Sequence, residues 1–154
     1  MPDICIRLAE LRDCNQLARL REALWPETPA EEHAREVSVI LTGKAGVTMP
    51  LIVLVAEASD QTLVGFLEAG LRSHADGCDA SRPVGYIEGW YVAESHRYRG
   101  VGSGLLKMAE KWARNQGCTE MASDTWIDNE VSQHVHEALG YEIVDRCVHY
   151  RKVL

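Results

Sequence analysis

The stretch from position 96 to 106 reads HRYRGVGSGLL and has the composition of a phosphate-binding segment. Arg97 and Arg99 supply positive charge, while Gly100 and Gly102 let backbone N–H groups approach an anion closely. The stretch follows a strand-like run and precedes apolar residues at helical spacing, so it opens a helix whose N-terminal dipole favours an anion. The pattern therefore predicts a phosphate-binding turn; the alternative is a plain glycine-rich helix start with solvent-facing arginines.

Two common nucleotide-binding motifs fit this stretch poorly. A Walker loop requires Lys followed by Ser or Thr after its glycines, and no such pair follows here. A dinucleotide fingerprint requires a third glycine where this chain has Leu105, and it stands early in a βαβ unit rather than mid-chain. Glu120 lies near the offset of the ribose-binding acid, but no second mononucleotide-binding half follows. Neither motif accounts for the glycines.

Carboxylates elsewhere in the chain suit a cationic ligand. Asp and Glu number 23 against 16 Lys and Arg, which gives a formal net charge of −7. Such a charge repels nucleic acid and anionic lipid and attracts cations, so neither nucleic acid nor a membrane is an expected partner. Glu88 stands within an apolar run beside Gly89, and a carboxylate buried there without a partner is costly. We therefore favour a functional role for Glu88 over a structural one.

The elements that position these residues follow from periodicity. Gly89 inside a strand-like run predicts a bulge or a close backbone approach. Asp13 is placed to cap the first helix, and Thr28 with Pro29 opens the second. We expect helices over 15–24, from 29 to a stop at Gly43, from the signature turn to Gly117, and from about 130 to Gly140. Strands are expected over 4–8, 51–58, 63–71, 84–92, 120–124, 141–144 and 148–152.

Length and composition indicate a single α+β domain spanning residues 1–154. The longest apolar run is six residues, far below the roughly 20 that span a bilayer, and no secretion signal is recognisable at the N-terminus. Five scattered cysteines without a CxxC pair are typical of reduced thiols, so a cytoplasmic location is expected. His134 and His136 stand two residues apart on a helix and point to different faces, so no metal is expected.

The signature Arg97–Gly102 resembles the R/Q-x-x-G-x-G/A motif of the GNAT superfamily of acetyl-CoA-dependent N-acetyltransferases, and the order of elements agrees over nearly the whole chain. The resemblance implies a central mixed, mostly antiparallel sheet that is splayed at a β-bulge and flanked by helices. It also implies that acetyl-CoA slots its pantetheine between the splayed strands. The cofactor-binding residues would then be Trp90, Tyr91, Val92, Arg97, Tyr98, Arg99, Gly100, Val101, Gly102, Ser103 and Asn129, the last of which could equally be a helix N-cap.

A narrower resemblance rests on five stretches in order: LWPETP (24–29), GCDAS (77–81), IEGWYV (87–92), CTEMASDT (118–125) and SQHVHEALGY (132–141). Together with the closing YRK (150–152) they are similar to the bacterial aminoglycoside 6'-N-acetyltransferases. Aminoglycosides are polycationic sugars, and the resemblance implies an acidic cleft with an aromatic wall, in a homodimer. Its substrate-binding residues would be Trp25, Thr28, His74, Asp79, Glu88, Asp124 and Asp145. The loop around 74–76 and Thr28 depart from the family pattern, which affects the preferred drug and not the chemistry.

Acetyl transfer from a thioester to an amine requires a free amine, a stabilised carbonyl oxygen and a proton for the departing thiolate. We assign the base to Glu88, with Asp124 as the second candidate, and expect backbone N–H groups near Tyr91 to polarise the carbonyl. Tyr150 is the expected acid, since a phenol with a pKa of about 10 suits a thiolate. Many superfamily members carry a tyrosine where this chain has His136, so His136 is the alternative acid.

Two other functions fit the same sequence. The chain could acetylate a polyamine, another small amine or a protein amine, and a panel of amine substrates separates these acceptors. A non-catalytic acyl-CoA-binding sensor is the alternative of a different class. A sensor would bind acetyl-CoA without turnover and would be indifferent to Glu88→Gln.

Overall fold

The computed structural model describes residues 3–44, 46 and 49–154 and places them around one five-stranded sheet. The strands are β1 (Cys5–Leu8), β2 (Leu51–Glu57), β3 (Leu63–Arg72), β4 (Val84–Val92) and β5 (Met121–Ser123). The helices are α1 (Cys14–Leu24), α2 (Ala30–Leu41), α3 (Val101–Asn115) and α4 (Glu130–Ala138), with short 3-10 turns at Leu11–Asp13 and Glu94–His96. None of the described helices is long and apolar enough to cross a membrane.

The sheet keeps the strands in chain order, β1-β2-β3-β4-β5. The first four strands pair antiparallel, and β5 joins β4 in parallel after the α3 crossover. This topology confirms the predicted mixed, mostly antiparallel sheet. The expected helices are present as well, each within a few residues of its predicted bounds.

A β-bulge interrupts the pairing of β3 with β4 at the predicted place. Glu68 pairs with Gly89 and Ala69 pairs with Ile87, so Glu88 is the extra residue that faces no partner. On the opposite edge of β4, β5 pairs with residues 85–87 only. Beyond Ile87 this pairing ends, and within the part of the chain that the structure describes no strand pairs with residues 88–92 on that side.

Helices cover both faces of the sheet, and the alternation of β2 shows why. Leu54 and Ala56 point to one side and pack with Leu105 of α3, while Val55 points to the other side and packs with Leu17 of α1. We call the first side the α3 face and the second the α1/α2 face. Because both faces are covered, the centre of β2 is apolar at every position rather than alternating.

Trp25, at the end of α1, packs directly on the bulge. A Cβ added to Gly89 would lie 2.4 Å from Cη2 of the Trp25 indole. The ring also meets Phe66 edge-on, with 6.1 Å between the ring centroids. Gly89 is therefore required because no side chain fits between β4 and the indole.

The expectation of two closing strands is wrong for the described chain. Residues 141–154 form neither helix nor strand, and every residue from Glu142 onward is exposed. The sequence there has the apolar and β-branched composition of strands, with Val148 and Tyr150 73% and 93% exposed. A strand forms only where a neighbouring strand pairs with its backbone groups, and no strand of residues 3–44, 46 and 49–154 pairs with this segment. We call residues 142–154 the C-terminal arm.

Asp13 does not cap α1, contrary to expectation. Its carboxylate is buried and accepts hydrogen bonds from the Arg7 guanidinium at 2.7 and 2.9 Å, and from the backbone N–H of Glu10 at 2.7 Å. Arg7 also pairs with Glu57 of the neighbouring strand. The carboxylate therefore stabilises the entry to α1 by joining β1, β2 and the 3-10 turn, because the half-buried Arg7 cation beside it is a stronger partner than a backbone N–H of the helix.

We expect Gly89→Ala to lower the free energy of unfolding by about 1–3 kcal/mol, because the added methyl group overlaps the Trp25 ring. Chemical denaturation measures the change. Gly70→Ala is the matched control in the adjacent strand, since its Cβ would meet no atom closer than 3.6 Å. Equal losses in the two variants would show that the packing of Trp25 on the bulge is not the constraint.

Candidate functional site

The signature stretch forms an uncapped helix N-terminus. Gly100 occupies the N-cap position with φ of 80°, in the left-handed region that favours glycine, and no side chain caps α3. The first helical bond runs from the N–H of Gly104 to the carbonyl of Gly100, at 2.9 Å. The N–H groups of residues 101–103 thus lack intrahelical acceptors and point out of the helix, as an anion-binding terminus requires.

The two signature arginines occupy different positions. Arg97 turns back to the end of β4, where its Nε donates to the Val92 carbonyl at 2.8 Å. Arg99 lines a cavity of about 300 Å³, whose other lining residues are Asp3, Ile4, Ile6, His96, Gly100 and Val101. Arg99 is therefore placed to offer charge beside the helix N-terminus, while Arg97 braces the turn that leads to it.

The open edge of β4 runs towards this helix terminus. The Val92 carbonyl is engaged by Arg97, so the backbone groups of Trp90 and Tyr91 are the nearer candidates to pair with pantetheine amides. The indole N–H of Trp90 is buried without an acceptor among the described residues, and Gly102 packs against that ring. The uncapped N–H groups, Arg99, the open backbone edge and this unpaired donor fit a phosphate-bearing pantetheine chain.

Glu88 projects from the bulge and is exposed, not buried as its apolar surroundings in the sequence suggested. The partner that it needs is Arg72 at the end of β3. Arg72 donates from Nε to Oε1 at 3.1 Å and from NH2 to Oε2 at 2.9 Å, a bidentate pair. This pair raises the pKa of Arg72, so the guanidinium stays charged. Glu88 keeps its remaining lone pairs for a further donor.

Asp124 lies directly after β5 and accepts a hydrogen bond from the Tyr86 hydroxyl at 2.9 Å. The Arg72 guanidinium stacks on the Tyr86 ring at 3.5 Å from its centroid. Burial, followed by the hydrogen bond to Asp124, raises the pKa of Tyr86 to about 12, so the hydroxyl remains a donor at neutral pH. The two predicted carboxylates, Glu88 and Asp124, are therefore joined through Arg72 and Tyr86.

Sequence reasoning missed Arg72 and Tyr86, although a usable signal was present. Positions 68, 70 and 72 alternate onto one face of β3, which places Arg72 on the same side as Glu68. In β4, Tyr86 stands two residues before Glu88. The two-residue alternation of side chains along both strands would have placed Arg72 near Glu88. The bulge, however, changes the register of β3 with β4 at this point.

The predicted substrate loop lies beside the same network. His74 is exposed, and Asp79 folds the loop by accepting from the backbone N–H and the hydroxyl of Ser81 at 2.9 and 2.7 Å. These hydrogen bonds lower the pKa of Asp79. The backbone N–H of Asp79 donates to Glu120 at 2.7 Å, which ties the loop to the start of β5.

The C-terminal arm touches this loop at its first residues. A Cβ added to Gly77 would overlap the Val144 side chain, at 2.6 Å from its Cβ. Asp145 follows Val144 and is exposed, with its carboxylate accepting from the Arg146 N–H at 2.7 Å. The contact brings this predicted substrate residue to the loop although 66 positions separate Asp145 from Asp79.

Trp25, which packs on Gly89 of the bulge, and Thr28 are both half-buried. The Thr28 N–H donates to the Trp25 carbonyl at 3.3 Å, which makes a turn of the LWPETP stretch. The helix that follows begins at Ala30, whose N–H donates to Glu22 at 3.1 Å, rather than at the predicted Pro29 with a Thr28 cap.

The two acid candidates differ in their surroundings. Tyr150 belongs to the exposed arm and takes no part in the hydrogen bonds of the described residues. His136 is half-buried in α4: its Nδ1 donates to the Ser132 carbonyl at 2.7 Å, and its Nε2 lies 2.9 Å from the Ser123 hydroxyl. Its ring meets Trp90 edge-on, at 5.5 Å between centroids. His136 is therefore fixed beside Trp90, where β4 is no longer paired with β5. The side chain of Tyr150, in contrast, is 93% exposed on the arm.

Asn129 is the N-cap of α4, one of the two roles expected for it. Its side chain accepts from the Ser132 N–H at 3.1 Å. The cap leaves the amide nitrogen of Asn129 without a described partner, on the exposed start of the helix that follows β5.

Comparison with known proteins agrees with this architecture. The sequence profile of the acetyltransferase (GNAT) family matches residues 17–141. An aminoglycoside N(6')-acetyltransferase type 1 from Klebsiella aerogenes is 41% identical over 149 residues, which cover 97% of this chain and 96% of that protein. The resemblance inferred from the motifs is therefore confirmed over the length of both chains.

Solved structures give the same result for the fold. AAC(6')-Iy in complex with the bisubstrate analogue CoA-S-monomethyl-acetylneamine is 37% identical and superposes with a TM-score of 0.85 over 99% of both chains. AAC(6')-Ih from Acinetobacter baumannii is 30% identical, with a TM-score of 0.85 over 99% of both chains. The predicted fold class is confirmed.

The raised pKa of Tyr86 predicts that the free energy of unfolding depends on pH. Its pKa is about 12 in the folded chain and about 10 when unfolded, so folding retains the proton to higher pH. The contribution of the protonated Tyr86 hydroxyl to the free energy of unfolding is complete below pH 10 and is lost as the pH rises towards 12. The difference in tyrosinate absorbance between the wild type and Tyr86→Phe should titrate near 12, and a midpoint near 10 would contradict the burial of this hydroxyl.

Proposed function

This chain belongs to the acetyltransferase (GNAT) family, and we propose that it transfers the acetyl group of acetyl-CoA to the 6'-amino group of aminoglycoside antibiotics and so confers resistance. The relatives of similar length carry this activity in their names, and one related structure holds an analogue that joins CoA to acetylneamine. The chain spans nearly the full length of both.

The observation that carries the proposal is the meeting of two chemically different surfaces at one gap. On one side of the separated strands lie the uncapped start of α3 and Arg99, which suit the phosphates of coenzyme A. At the point of separation stand Glu88 and Asp124, whose carboxylates suit ammonium groups. An anionic donor and a cationic acceptor thus approach from opposite ends of the gap.

In the donor half, Arg99 and the N–H groups of residues 101–103 hold the pyrophosphate. Tyr98 and Asn129 border the same turn and the facing helix, and the backbone of Trp90 and Tyr91 pairs with the pantetheine amides. A backbone N–H near Tyr91 then polarises the thioester carbonyl as it becomes tetrahedral.

In the acceptor half, Trp25 packs on a sugar ring while Asp124 and Asp145 bind ammonium or hydroxyl groups. Thr28, His74 and Asp79 shape the mouth. Glu88 takes a proton from the 6'-ammonium, directly or through water, and Arg72 holds its carboxylate in position. Each charge-assisted hydrogen bond is worth about 1.5–3 kcal/mol, so a few carboxylates suffice for micromolar binding.

The reaction is a direct transfer in a ternary complex. The neutral amine nitrogen attacks the thioester carbon, the C–N bond forms, and the C–S bond breaks. Before the attack Glu88 passes the ammonium proton on to solvent, so that its carboxylate can accept the second proton of the amine as the C–N bond forms. The coenzyme A thiolate takes a proton from Tyr150 or His136. No cysteine takes part; Cys118 is buried and its pKa is raised by that burial.

We place the reaction in the cytoplasm. All five cysteines are free thiols. Cys5 and Cys147 are exposed, and exposed thiols stay reduced most readily where glutathione and thioredoxin act.

Thiol release from acetyl-CoA tests the acceptor. We expect release with kanamycin but not with an aminoglycoside whose 6' position carries a hydroxyl, because the hydroxyl is a far weaker nucleophile than a deprotonated amine. Equal release with both drugs would reject the 6' assignment. Release with spermidine or a lysine peptide at the same efficiency would favour a general amine acetyltransferase instead.

Glu88→Gln separates the enzyme from a sensor. Loss of the base should lower kcat by roughly 10²–10⁴-fold while acetyl-CoA still binds. Ser38→Ala, at a half-buried position in the last turn of α2, is the control that leaves turnover unchanged. Binding of acetyl-CoA by calorimetry without turnover on any amine, with no effect of Glu88→Gln, would support the sensor.

We also propose a homodimer in which the C-terminal arm pairs with a second copy. The arm exposes Val148, Val153 and Leu154, and it has no strand partner among the described residues of its own chain. Strand-forming segments with unpaired backbone readily add to an exposed sheet edge, and two equivalent arms satisfy twofold symmetry. The arm would then give Tyr150 a fixed environment.

Light scattering tests the dimer. The full chain should have twice the 17.2 kDa mass of one copy, and removal of residues 147–154 should leave a monomer because the exposed apolar residues are lost. A monomeric full chain at assay concentration would contradict the proposal. The truncation stops beyond Val144, so it retains the contact of the arm with the substrate loop.

A further inference from the structure

A buried polar cluster lies between α1, α2 and β3, directly behind Trp25. It consists of Arg21, His33 and Glu68, and it is separate from the hydrogen bonds of the catalytic carboxylates. Arg21 is 6% exposed and His33 is 2% exposed, values typical of core leucines. Charged and polar side chains buried to this depth need a full set of partners.

All three nitrogen atoms of the Arg21 guanidinium donate hydrogen bonds. Its Nε donates to Nδ1 of His33 at 3.2 Å, its NH1 donates to Glu68, and its NH2 donates to Glu36 at 2.8 Å. The guanidinium carbon also lies 5.1 Å from the centroid of the Trp25 ring, within the range of a cation–π interaction.

His33 connects this cation to the backbone of Trp25. Because the Arg21 Nε can only donate, Nδ1 of His33 must accept. Nε2 must then carry the proton that it donates to the Trp25 carbonyl, at 3.2 Å. The His33 ring also lies against the Trp25 ring, with centroids 6.1 Å apart and an interplanar angle of 33°. A single tautomer of His33 thus fixes both the carbonyl and the ring of Trp25.

Glu68 anchors the cluster to the bulge. It stands in register opposite Gly89, the residue on which the Trp25 indole packs. Burial raises the pKa of Glu68, and the charge of Arg21 opposes that rise. Trp25 is therefore held by polar contacts with the cluster and by close packing against Gly89 of the bulge.

We propose that Arg21, His33 and Glu68 are positioning residues that set the orientation of Trp25 and thereby the affinity for the acceptor sugar. The inference rests on the proposed function, in which Trp25 packs on a ring of the aminoglycoside. It predicts that disturbing the cluster weakens acceptor binding and leaves the acetyl-CoA half and the chemical step unchanged, because the described side-chain hydrogen bonds of the cluster reach neither Glu88 nor the residues assigned to coenzyme A.

Two amide substitutions of His33 test this with matched polarity. In His33→Gln the amide nitrogen can still reach the Trp25 carbonyl, whereas the shorter amide of His33→Asn reaches only the Arg21 side. We expect His33→Asn to raise the aminoglycoside KM about tenfold, with His33→Gln within about threefold of the wild type. The acetyl-CoA KM and kcat should stay within about twofold in both variants.

Asp13→Asn is the control for a loss of stability alone. It disturbs a buried carboxylate paired with Arg7 at the other edge of the sheet, away from Trp25. It should lower the denaturation midpoint and leave the aminoglycoside KM unchanged. If Asp13→Asn raises that KM as much as His33→Asn does, stability explains the effect and the positioning role is rejected.

A second measurement is independent of turnover. In fluorine NMR of the protein labelled with 5-fluorotryptophan, the resonance that is missing in Trp25→Phe belongs to Trp25. Its chemical shift and line width report the environment and the mobility of this ring. We expect that resonance to shift or broaden in His33→Asn and to stay in place in Asp13→Asn. If it changes but no aminoglycoside is acetylated by the wild type, the proposed function fails and the positioning of Trp25 stands. If the wild type acetylates and His33→Asn alters neither the resonance nor the KM, the positioning role is overturned.

Discussion

The bulge at Glu88 is the constraint on which both halves of the site depend. One extra residue in β4 changes the register with β3, and at the same level β5 ends its pairing with β4. The gap that follows leaves backbone hydrogen-bonding groups open, and such groups require partners when they are covered. In the function that we propose, a pantetheine chain supplies those partners, so the same irregularity that turns Glu88 outward also makes the slot for the donor.

Electrostatics at the bulge divide into two separate groups. On the exposed side, Arg72 engages Glu88 and stacks on Tyr86, which in turn binds Asp124. On the buried side, Arg21 engages Glu68 behind the Trp25 ring. Each arginine neutralises a carboxylate that would otherwise stand alone, and an arginine suits this task because its fork matches a carboxylate and stays charged. The strong net negative charge of the chain can then be concentrated at the cleft without unpaired buried carboxylates.

The C-terminal arm links the site to the quaternary structure that we propose. Its first residues rest on the substrate loop through the contact of Val144 with Gly77, and its remaining residues expose apolar side chains. An arm that pairs with a second copy would hold that contact in place. Acceptor selection and dimer formation would then share one segment, because a shift of the arm moves the loop on which Val144 rests.

The sequence by itself determined the helices, the five sheet strands, the bulge and the glycine-rich turn that opens α3. These features are local: glycine spacing, alternation and capping residues act over a few positions, and a glycine such as Gly100 at positive φ leaves a direct mark. It also indicated Glu88 as a functional candidate from residue type and context, while Asp124 followed from the resemblance to the aminoglycoside 6'-N-acetyltransferases.

Only the tertiary structure decided which side chains these carboxylates meet. Arg72 and Tyr86 come from different strands, and their contacts with Glu88 and Asp124 depend on the register at a bulge, where counting along one strand fails. The C-terminal arm is a second case in which the sequence was insufficient, because here it predicted strands that the structure does not contain. Its composition predicts strands, but a strand needs a partner, and whether one is present is a property of the folded assembly and not of the segment itself.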